Sequence, residues 1–270
     1  YLCYTLITFA DKMNSMKNLK TFLVLIVIHV FLFTTSVAQE KKQFNALLVT
    51  KTAGWHHESI NEGVTAIKEL ATRNFFNVQW HQEGATVTDK YLENFQVIIF
   101  LNTTGDIFKE DEQKAIEKFI KAGKGFVGIH SASDTEYGWE WYTKLVGRMF
   151  KIHPAIQTAK LKLTENKFSG LDQFTDGQFW TDEWYEFSPE TTTDLKYILA
   201  VDETSYNAKV QWGEKKGEGM GSFHPVAWYH DYDGGRSFYT ALGHMPAVYS
   251  EPAFLNHIYA GIYWAATGKK

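Results

Sequence analysis

Histidines and carboxylates recur in five short polar clusters that separate long apolar stretches of the chain. They occupy residues 54–58, 102–106, 130–134, 182–185 and 243–244. Histidine titrates close to neutral pH, and a glutamate beside aromatic rings can have its pKa raised into the same range. The clusters therefore favour acid–base chemistry, with His130, Glu183 and His244 as the candidate catalytic residues. The alternative for each is a structural role, which for Glu183 is an ion pair with Arg148 or Arg236.

The same side chains offer a second chemistry, the binding of a divalent metal ion. Imidazole and carboxylate groups are zinc ligands, so His56, His130, Glu183 and His244 could assemble a metal site from distant segments. The HHE segment at 56–58 lacks the helical spacing that places two imidazoles on one ion. The sequence therefore assigns no cofactor, and a metal site remains an alternative to a hydrogen-bonding pocket without metal.

Aromatic and polar residues in and beside the clusters are the candidate ligand-binding residues. The chain is 16% aromatic, with 9 Trp, and flat rings with polar edges suit sugars. The predicted substrate-binding residues are Trp55, His56, His57, Thr103, Ser131, Asp134, Trp184 and Tyr185. Trp139 and Trp141 are further candidate stacking rings, although most of these tryptophans are expected in the core. The expected ligand is a small hydroxylated molecule.

The first half of the chain alternates apolar runs with helical patterns, which predicts an α/β fold. Segments 44–51, 76–80, 96–101 and 125–129 are expected to be strands, the first of them buried and the third with the continuous hydrophobicity of a parallel-sheet centre. Helices are expected to begin near the caps Ser59 and Thr88 and to span 109–121. This order gives right-handed βαβ units and a parallel sheet covered by helices on both faces. Ligands bind beyond the carboxyl ends of such strands, where the polar clusters fall.

The second half is less regular and extends the same domain. Strands are expected at 158–163 and 196–201. A hairpin is expected around DYDGG at 231–235, and a helix at 253–267. Neither repeats nor a linker interrupt the chain, so residues 39–270 are predicted to form one domain.

Residues 1–38 are interpreted as upstream residues and an export signal. Met16 to Lys20 supplies a basic start, an apolar run follows at 21–34, and Ser36 and Ala38 suit a signal peptidase. Translation beginning at Met13 is an alternative. Cleavage after Ala38 predicts a periplasmic or secreted protein without a membrane anchor. It also removes Cys3, the single cysteine of the chain.

Composition and absent motifs exclude several functions. A net charge of −4 argues against nucleic acid as a partner. The chain has neither a P-loop, nor a G-x-S-x-G elbow, nor a dinucleotide-binding glycine motif after its first strand. The sequence does not indicate an oligomeric state.

Four segments resemble the ThuA-like (trehalose utilisation) family: KTAGWHHES at 51–59, GFVGIHSASD at 125–134, DEWY at 182–185, and 224–244 from HPVAWY to ALGH. The resemblance extends over residues 44–268 in the family's order. It implies a flavodoxin-like three-layer sandwich of the class I glutamine amidotransferase-like superfamily. In amidotransferases of that superfamily the elbow after the fourth strand holds a cysteine. Here the corresponding stretch reads GIHS at 128–131, and no cysteine remains in the predicted mature chain, which excludes thiol amidotransferase chemistry.

The resemblance also carries expectations about the site and the reaction. The family's pocket motifs correspond to His56, His57, His130, Ser131, Glu183, Tyr185 and His244. The family is tied to disaccharide catabolism through oxidised keto-sugars. The expected function is hydrolysis or isomerisation of a sugar or keto-sugar by acid–base chemistry. The alternatives are a non-catalytic carbohydrate-binding domain with the same pocket and a metal-dependent hydrolase.

Overall fold

A nine-stranded mixed sheet organises residues 41–81 and 84–269, the part of the chain that this computed structural model describes. The strands are β1 (Asn45–Val49), β2 (Asn77–Trp80), β3 (Val97–Leu101), β4 (Gly125–Ile129), β5 (Phe150–Ile152), β6 (Gln157–Leu163), β7 (Phe179–Asp182), β8 (Glu186–Phe187), β9 (Lys196–Asp202), β10 (Val210–Trp212), β11 (Lys215–Gly217), β12 (His224–Tyr232) and β13 (Gly235–Thr240). The helices are α1 (Ile60–Arg73), α2 (Asp89–Leu92), α3 (Glu110–Lys121), α4 (Glu140–Val146) and α5 (Pro252–Thr267).

Five parallel strands form one half of this sheet, in the order β2-β1-β3-β4-β13. This is the strand order of flavodoxin-like folds, in which ligands bind where the order reverses, between β1 and β3. The predicted α/β fold with a parallel centre is thus confirmed. The remaining strands, β12, β9, β6 and β7, extend the sheet in antiparallel fashion, and β5–β8 and β10–β11 form two small separate pairs.

Burial of the central strands explains why their sequences are continuously apolar. Every residue of β3 and β4 is buried, because helices cover both faces of a parallel sheet. Helix α1 contacts α5, and α2 contacts α3. The hairpin expected around residues 231–235 joins β12 to β13. Within the described residues, the helices lack the combination of length and hydrophobicity needed to cross a bilayer.

The two predicted helix caps behave differently. The Thr88 hydroxyl accepts a hydrogen bond from the Tyr91 backbone and caps α2. Ser59 precedes α1 but makes no capping bond with its side chain, and its hydroxyl donates to the Gly243 carbonyl instead. Ser59 therefore links the start of α1 to the end of β13. The predicted export signal lies outside the described residues.

Candidate functional site

Four titratable side chains from distant segments meet at the carboxyl edge of the sheet. His57 follows β1, His130 follows β4, Glu183 follows β7 and His244 follows β13. One nitrogen or oxygen atom from each lies within 4.8 Å of the corresponding atoms of the others. We call these four residues the His/Glu cluster. They are the residues that could hold a metal ion, with His57 in the place where the sequence suggested His56.

A strained backbone position aims His130 into the cluster. Its φ angle is +52°, in the left-handed region that is uncommon for residues other than glycine. Its Nδ1 lies 2.7 Å from the Ala241 carbonyl, which can only accept a hydrogen bond, so Nδ1 carries the proton. In the neutral ring Nε2 is then a lone-pair acceptor. It lies 2.9 Å from the Tyr185 hydroxyl, which donates to it.

A buried carboxylate, Asp182, ties two members of the cluster together. It accepts hydrogen bonds from the backbone N–H groups of Glu183, Gly243 and His244, each at 3.0 Å. The segment after β7 and the segment after β13 are thereby fixed relative to each other. Burial raises the pKa of Asp182, and these hydrogen bonds oppose that rise. Asp182 is therefore a positioning residue.

Glu183 connects the histidines of the site. Its Oε2 lies 3.2 Å from His244 Nδ1 and 3.5 Å from His130 Nε2, and its Oε1 lies 3.1 Å from His153 Nδ1. The predicted alternative partners are engaged elsewhere, since Arg148 pairs with Glu190 and Arg236 donates to backbone carbonyls. Glu183 therefore belongs to the histidine cluster.

The shared environment shifts the pKa values of the cluster in opposite directions. Burial alone would raise the pKa of Glu183, but hydrogen bonds to His130 and His244 bring it below its usual range. Burial opposes a rise in the pKa of His244, yet contact with Glu183 raises it. Burial, reinforced by His130 and His244, lowers the pKa of His57 to about 2. At neutral pH the cluster thus combines an ionised carboxylate with an uncharged His57.

Three of the predicted binding residues lie at the cluster. His57 is one of its members, and its Nδ1 lies 3.3 Å from the Ser131 hydroxyl. Tyr185 contacts His130, and burial raises its pKa well above the usual value, so it remains a hydrogen-bond donor.

The other five predicted binding residues lie outside the cluster. Thr103 is buried, and its hydroxyl bonds to that of Thr135. Asp134 accepts a hydrogen bond from Tyr137, and His56 is exposed and contacts Thr52. Trp184 is 1% exposed and donates to the Gln157 carbonyl, so burial removes it from the candidate stacking rings. Trp55 is 72% exposed and remains available to a ligand.

Two further tryptophans proposed as stacking rings are held by other parts of the protein. Trp139 is buried, stacks on Trp141 and donates to Glu117. Trp141 donates to Asp233. These contacts do not involve the His/Glu cluster.

Three residues at the site were not predicted from the sequence: Asp182, His153 and Trp212. The ring of His153 packs edge-on against Trp212 with centroids 4.6 Å apart, while its Nδ1 contacts Glu183. Trp212 is 42% exposed on the β10–β11 pair. The segment VQWGEKKG at 210–217, with its central glycine, carried a hairpin signal that could have identified it. The strand before His153 has only three residues and gave no such signal.

Comparisons with known proteins agree with this architecture. The ThuA family model, described as trehalose utilisation, matches residues 45–265. No curated protein matches the sequence. A ThuA-like protein from Bacteroides uniformis is 18% identical, with a TM-score of 0.70 over 87% of this chain and 96% of that chain. Another from Parabacteroides merdae is 17% identical, with a TM-score of 0.65 over 85% and 91%. At these identities the structural likeness shows the fold alone.

Proposed function

Since this chain belongs to the ThuA family of trehalose-utilisation proteins, we propose that it is an enzyme that acts on a sugar or keto-sugar in carbohydrate catabolism. The reaction class is hydrolysis or isomerisation, and the reacting part of the sugar lies against His130, Glu183 and His244. The observation that carries this proposal is the convergence of three imidazoles and a carboxylate at one sheet edge.

The composition of the cluster favours an enzyme over a binding module. Bringing a carboxylate and three imidazoles out of water and into contact costs free energy. A sugar-binding module needs only hydrogen-bond donors and a stacking ring, so it gains little from such an arrangement. Enzymes use it, because catalysis requires groups whose protonation or charge is tuned by their neighbours.

The surroundings of the cluster suit a hydroxylated ligand. Trp212 presents a partly exposed ring beside His153, and Trp55 is an exposed ring two residues before His57. Aromatic rings with polar neighbours are the surfaces on which sugars stack. Trp212 thereby takes the stacking role that the sequence analysis gave to Trp184.

The cluster can serve the proposed reactions in two ways. In the first, Glu183 and His244 act as proton acceptor and donor. Isomerisation of a keto-sugar then removes a proton beside the carbonyl and adds one to its oxygen, and hydrolysis deprotonates water and protonates the leaving oxygen. In the second, the same side chains hold a metal ion, which the spacing of their atoms favours. Both ways place the reacting atoms at the same cluster.

Turnover of a sugar panel tests the proposal. Wild-type protein, His244→Ala and the control His81→Gln are incubated with glucosides and their 3-keto forms, and binding and product formation are followed separately. His81 is a histidine outside the cluster that contacts Tyr91. We expect turnover by the wild type and the control, and its loss in His244→Ala. Binding without turnover by the wild type would instead identify a carbohydrate-binding domain.

We also propose that the protein is exported, because the basic start, apolar run and cleavage site of residues 16–38 are in register. N-terminal sequencing of protein from the periplasmic fraction should give a start at or near Gln39. A mature protein that retains the apolar run would contradict export with cleavage.

A further inference from the structure

We propose that the His/Glu cluster is a binding site for one divalent transition-metal ion of the zinc class, with His130, Glu183 and His244 as ligands and His57 beside them. The site itself follows from the geometry of the side chains. Its role in the reaction rests on the proposed function. The supporting evidence is the spacing of the donor atoms, their outer hydrogen bonds and the kinds of donor present.

The spacing of three donor atoms matches one face of a metal coordination tetrahedron. His130 Nε2, His244 Nδ1 and Glu183 Oε2 are separated by 3.2, 3.2 and 3.5 Å. Zinc bonds of about 2.0–2.1 Å at tetrahedral angles place neighbouring ligand atoms about 3.3–3.4 Å apart. An ion can therefore bind all three atoms with little movement of the side chains.

Outer hydrogen bonds hold the ligand atoms in place. The Ala241 carbonyl keeps the proton of His130 on Nδ1 and turns Nε2 toward the cluster. His153 Nδ1 lies 2.8 Å from the Pro154 carbonyl, so it carries a proton and can also donate to Glu183 Oε1. Metal-bound histidines and carboxylates in proteins are oriented in this way by partners behind them.

The kinds of donor indicate the class of ion. Imidazole nitrogens suit zinc and its transition-metal neighbours, whereas calcium and magnesium prefer oxygen ligands. His57 is buried and offers one ring nitrogen within 4.8 Å of the other three ligand atoms. Three protein ligands with a fourth position open to substrate are typical of catalytic zinc sites. His57 lies where it can complete the coordination or adjoin that open position.

Protons alone could satisfy part of the same network, which is the main rival explanation. His244 Nδ1–H can donate to Glu183, and the Tyr185 hydroxyl donates to His130 Nε2. That network does not connect His57 to the other three residues, and its Nδ1 contacts the Ser131 hydroxyl instead. A metal ion accounts for all four members of the cluster. When bound, the ion would polarise a sugar oxygen or activate water, and Glu183 and His244 would then be its ligands instead of the proton-transfer pair.

Cobalt and zinc binding tests the proposal without measuring activity. Tag-free protein is stripped with EDTA, dialysed and titrated with Co²⁺, whose visible absorption reports four-coordinate binding, and Zn²⁺ is then added as a competitor. We expect one equivalent of Co²⁺ to bind and to be displaced by Zn²⁺. Glu183→Gln and His244→Ala should each lose about 100-fold or more in affinity, because the first removes the negative charge of one ligand and the second removes a ligand entirely.

Glu203→Gln is the matched control. Its carboxylate lies 2.8 Å from the ring of buried His224, outside the cluster, so this variant should bind Co²⁺ like the wild type. Absence of binding by folded wild-type protein in molar excess of Co²⁺ would overturn the proposal and favour the proton network. Unchanged binding by both cluster variants would also overturn it. Stoichiometric binding without sugar turnover would support the metal site while counting against the proposed function.

Discussion

Buried histidines occur in two contrasting regions of this protein. In the His/Glu cluster, His130 is fully buried and both ring nitrogens have polar partners. In α5, His257 is equally buried but packs between the rings of Phe174 and Phe238, and its ring makes at most a weak contact with the Gly170 backbone within the described part of the chain. Burial lowers the pKa of His257 to about 3, so it is uncharged at neutral pH.

The comparison shows that burial alone does not identify a functional histidine. His257 behaves as a core residue, and within the described residues its burial costs free energy because its ring nitrogens are poorly paired. His130 shares its surroundings with a carboxylate and two other imidazoles, which only a ligand, a proton relay or an ion would use together. The identity of the neighbours separates the two roles.

The largest expected effect comes from substituting His130 and His257 in parallel. His130→Ala should lower sugar turnover by about 10²–10⁴-fold, the range for loss of a positioned acid–base group, because His130 contacts both Glu183 and His244 and holds them in place. It should also cost about 1–3 kcal/mol of stability, because buried partners lose their hydrogen bonds. His257→Ala should destabilise the protein while the folded fraction keeps its turnover. Steady-state kinetics measures the turnover and urea unfolding measures the stability. Equal losses of turnover in the two variants would contradict the assignment of His130 as a functional residue and His257 as a core residue.

A smaller effect is expected from His153→Phe, which retains the ring beside Trp212 but removes the hydrogen bond to Glu183. Loss of such an outer partner typically reduces metal affinity or activity about 10–100-fold. Turnover and Co²⁺ affinity should fall together, with a nearly unchanged melting temperature. A variant that melts much earlier but retains both would show that His153 serves the fold.

The pH dependence of stability should reveal His257. Its pKa is about 3 in the folded protein and 6.5 when unperturbed, so the unfolded chain binds an additional proton between these values. The stabilising contribution of His257 to the free energy of unfolding is complete above pH 6.5. It decreases as the pH falls toward 3, by up to about 1.4 kcal/mol per pH unit. Between pH 7 and 4.5, the free energy of unfolding of His257→Leu, measured with urea, should therefore fall by about 2 kcal/mol less than that of the wild type. Parallel curves would mean that His257 has the same pKa in the folded and unfolded states.

The smallest expected effect concerns Trp212. Trp212→Ala should raise the KM for a sugar about 2–10-fold, since aromatic contacts contribute about 0.5–1.5 kcal/mol beyond area burial. Its stability should hardly change, because the ring is partly exposed. Trp80→Ala is the matched control, a comparably exposed ring on edge strand β2. An unchanged KM in Trp212→Ala would leave Trp55 as the candidate stacking ring.

Strand patterns predicted the parallel half of the fold well, because a buried parallel strand has a continuous apolar sequence. The same logic placed His130 and His244 at one edge, since the carboxyl ends of parallel strands meet there. The sequence could not show that His57, and not His56, joins the cluster, because adjacent residues of a loop can point in opposite directions. The prediction that Trp184 stacks on a ligand was wrong, because a tryptophan beside a polar cluster has the same sequence pattern whether its ring faces solvent or the core.

The position of β13 has a consequence for synthesis of the chain. This strand is the last in sequence, yet it lies between β4 and β12 near the middle of the sheet. While a ribosome is still producing the second half, β4 has an unpaired edge, which is a template for wrong pairing. His130 also lacks its Ala241 partner until that residue has emerged. The central sheet and the His130 contact can therefore be completed only after Ala241 has been synthesised, and we expect the nascent chain to be most vulnerable to aggregation before that point.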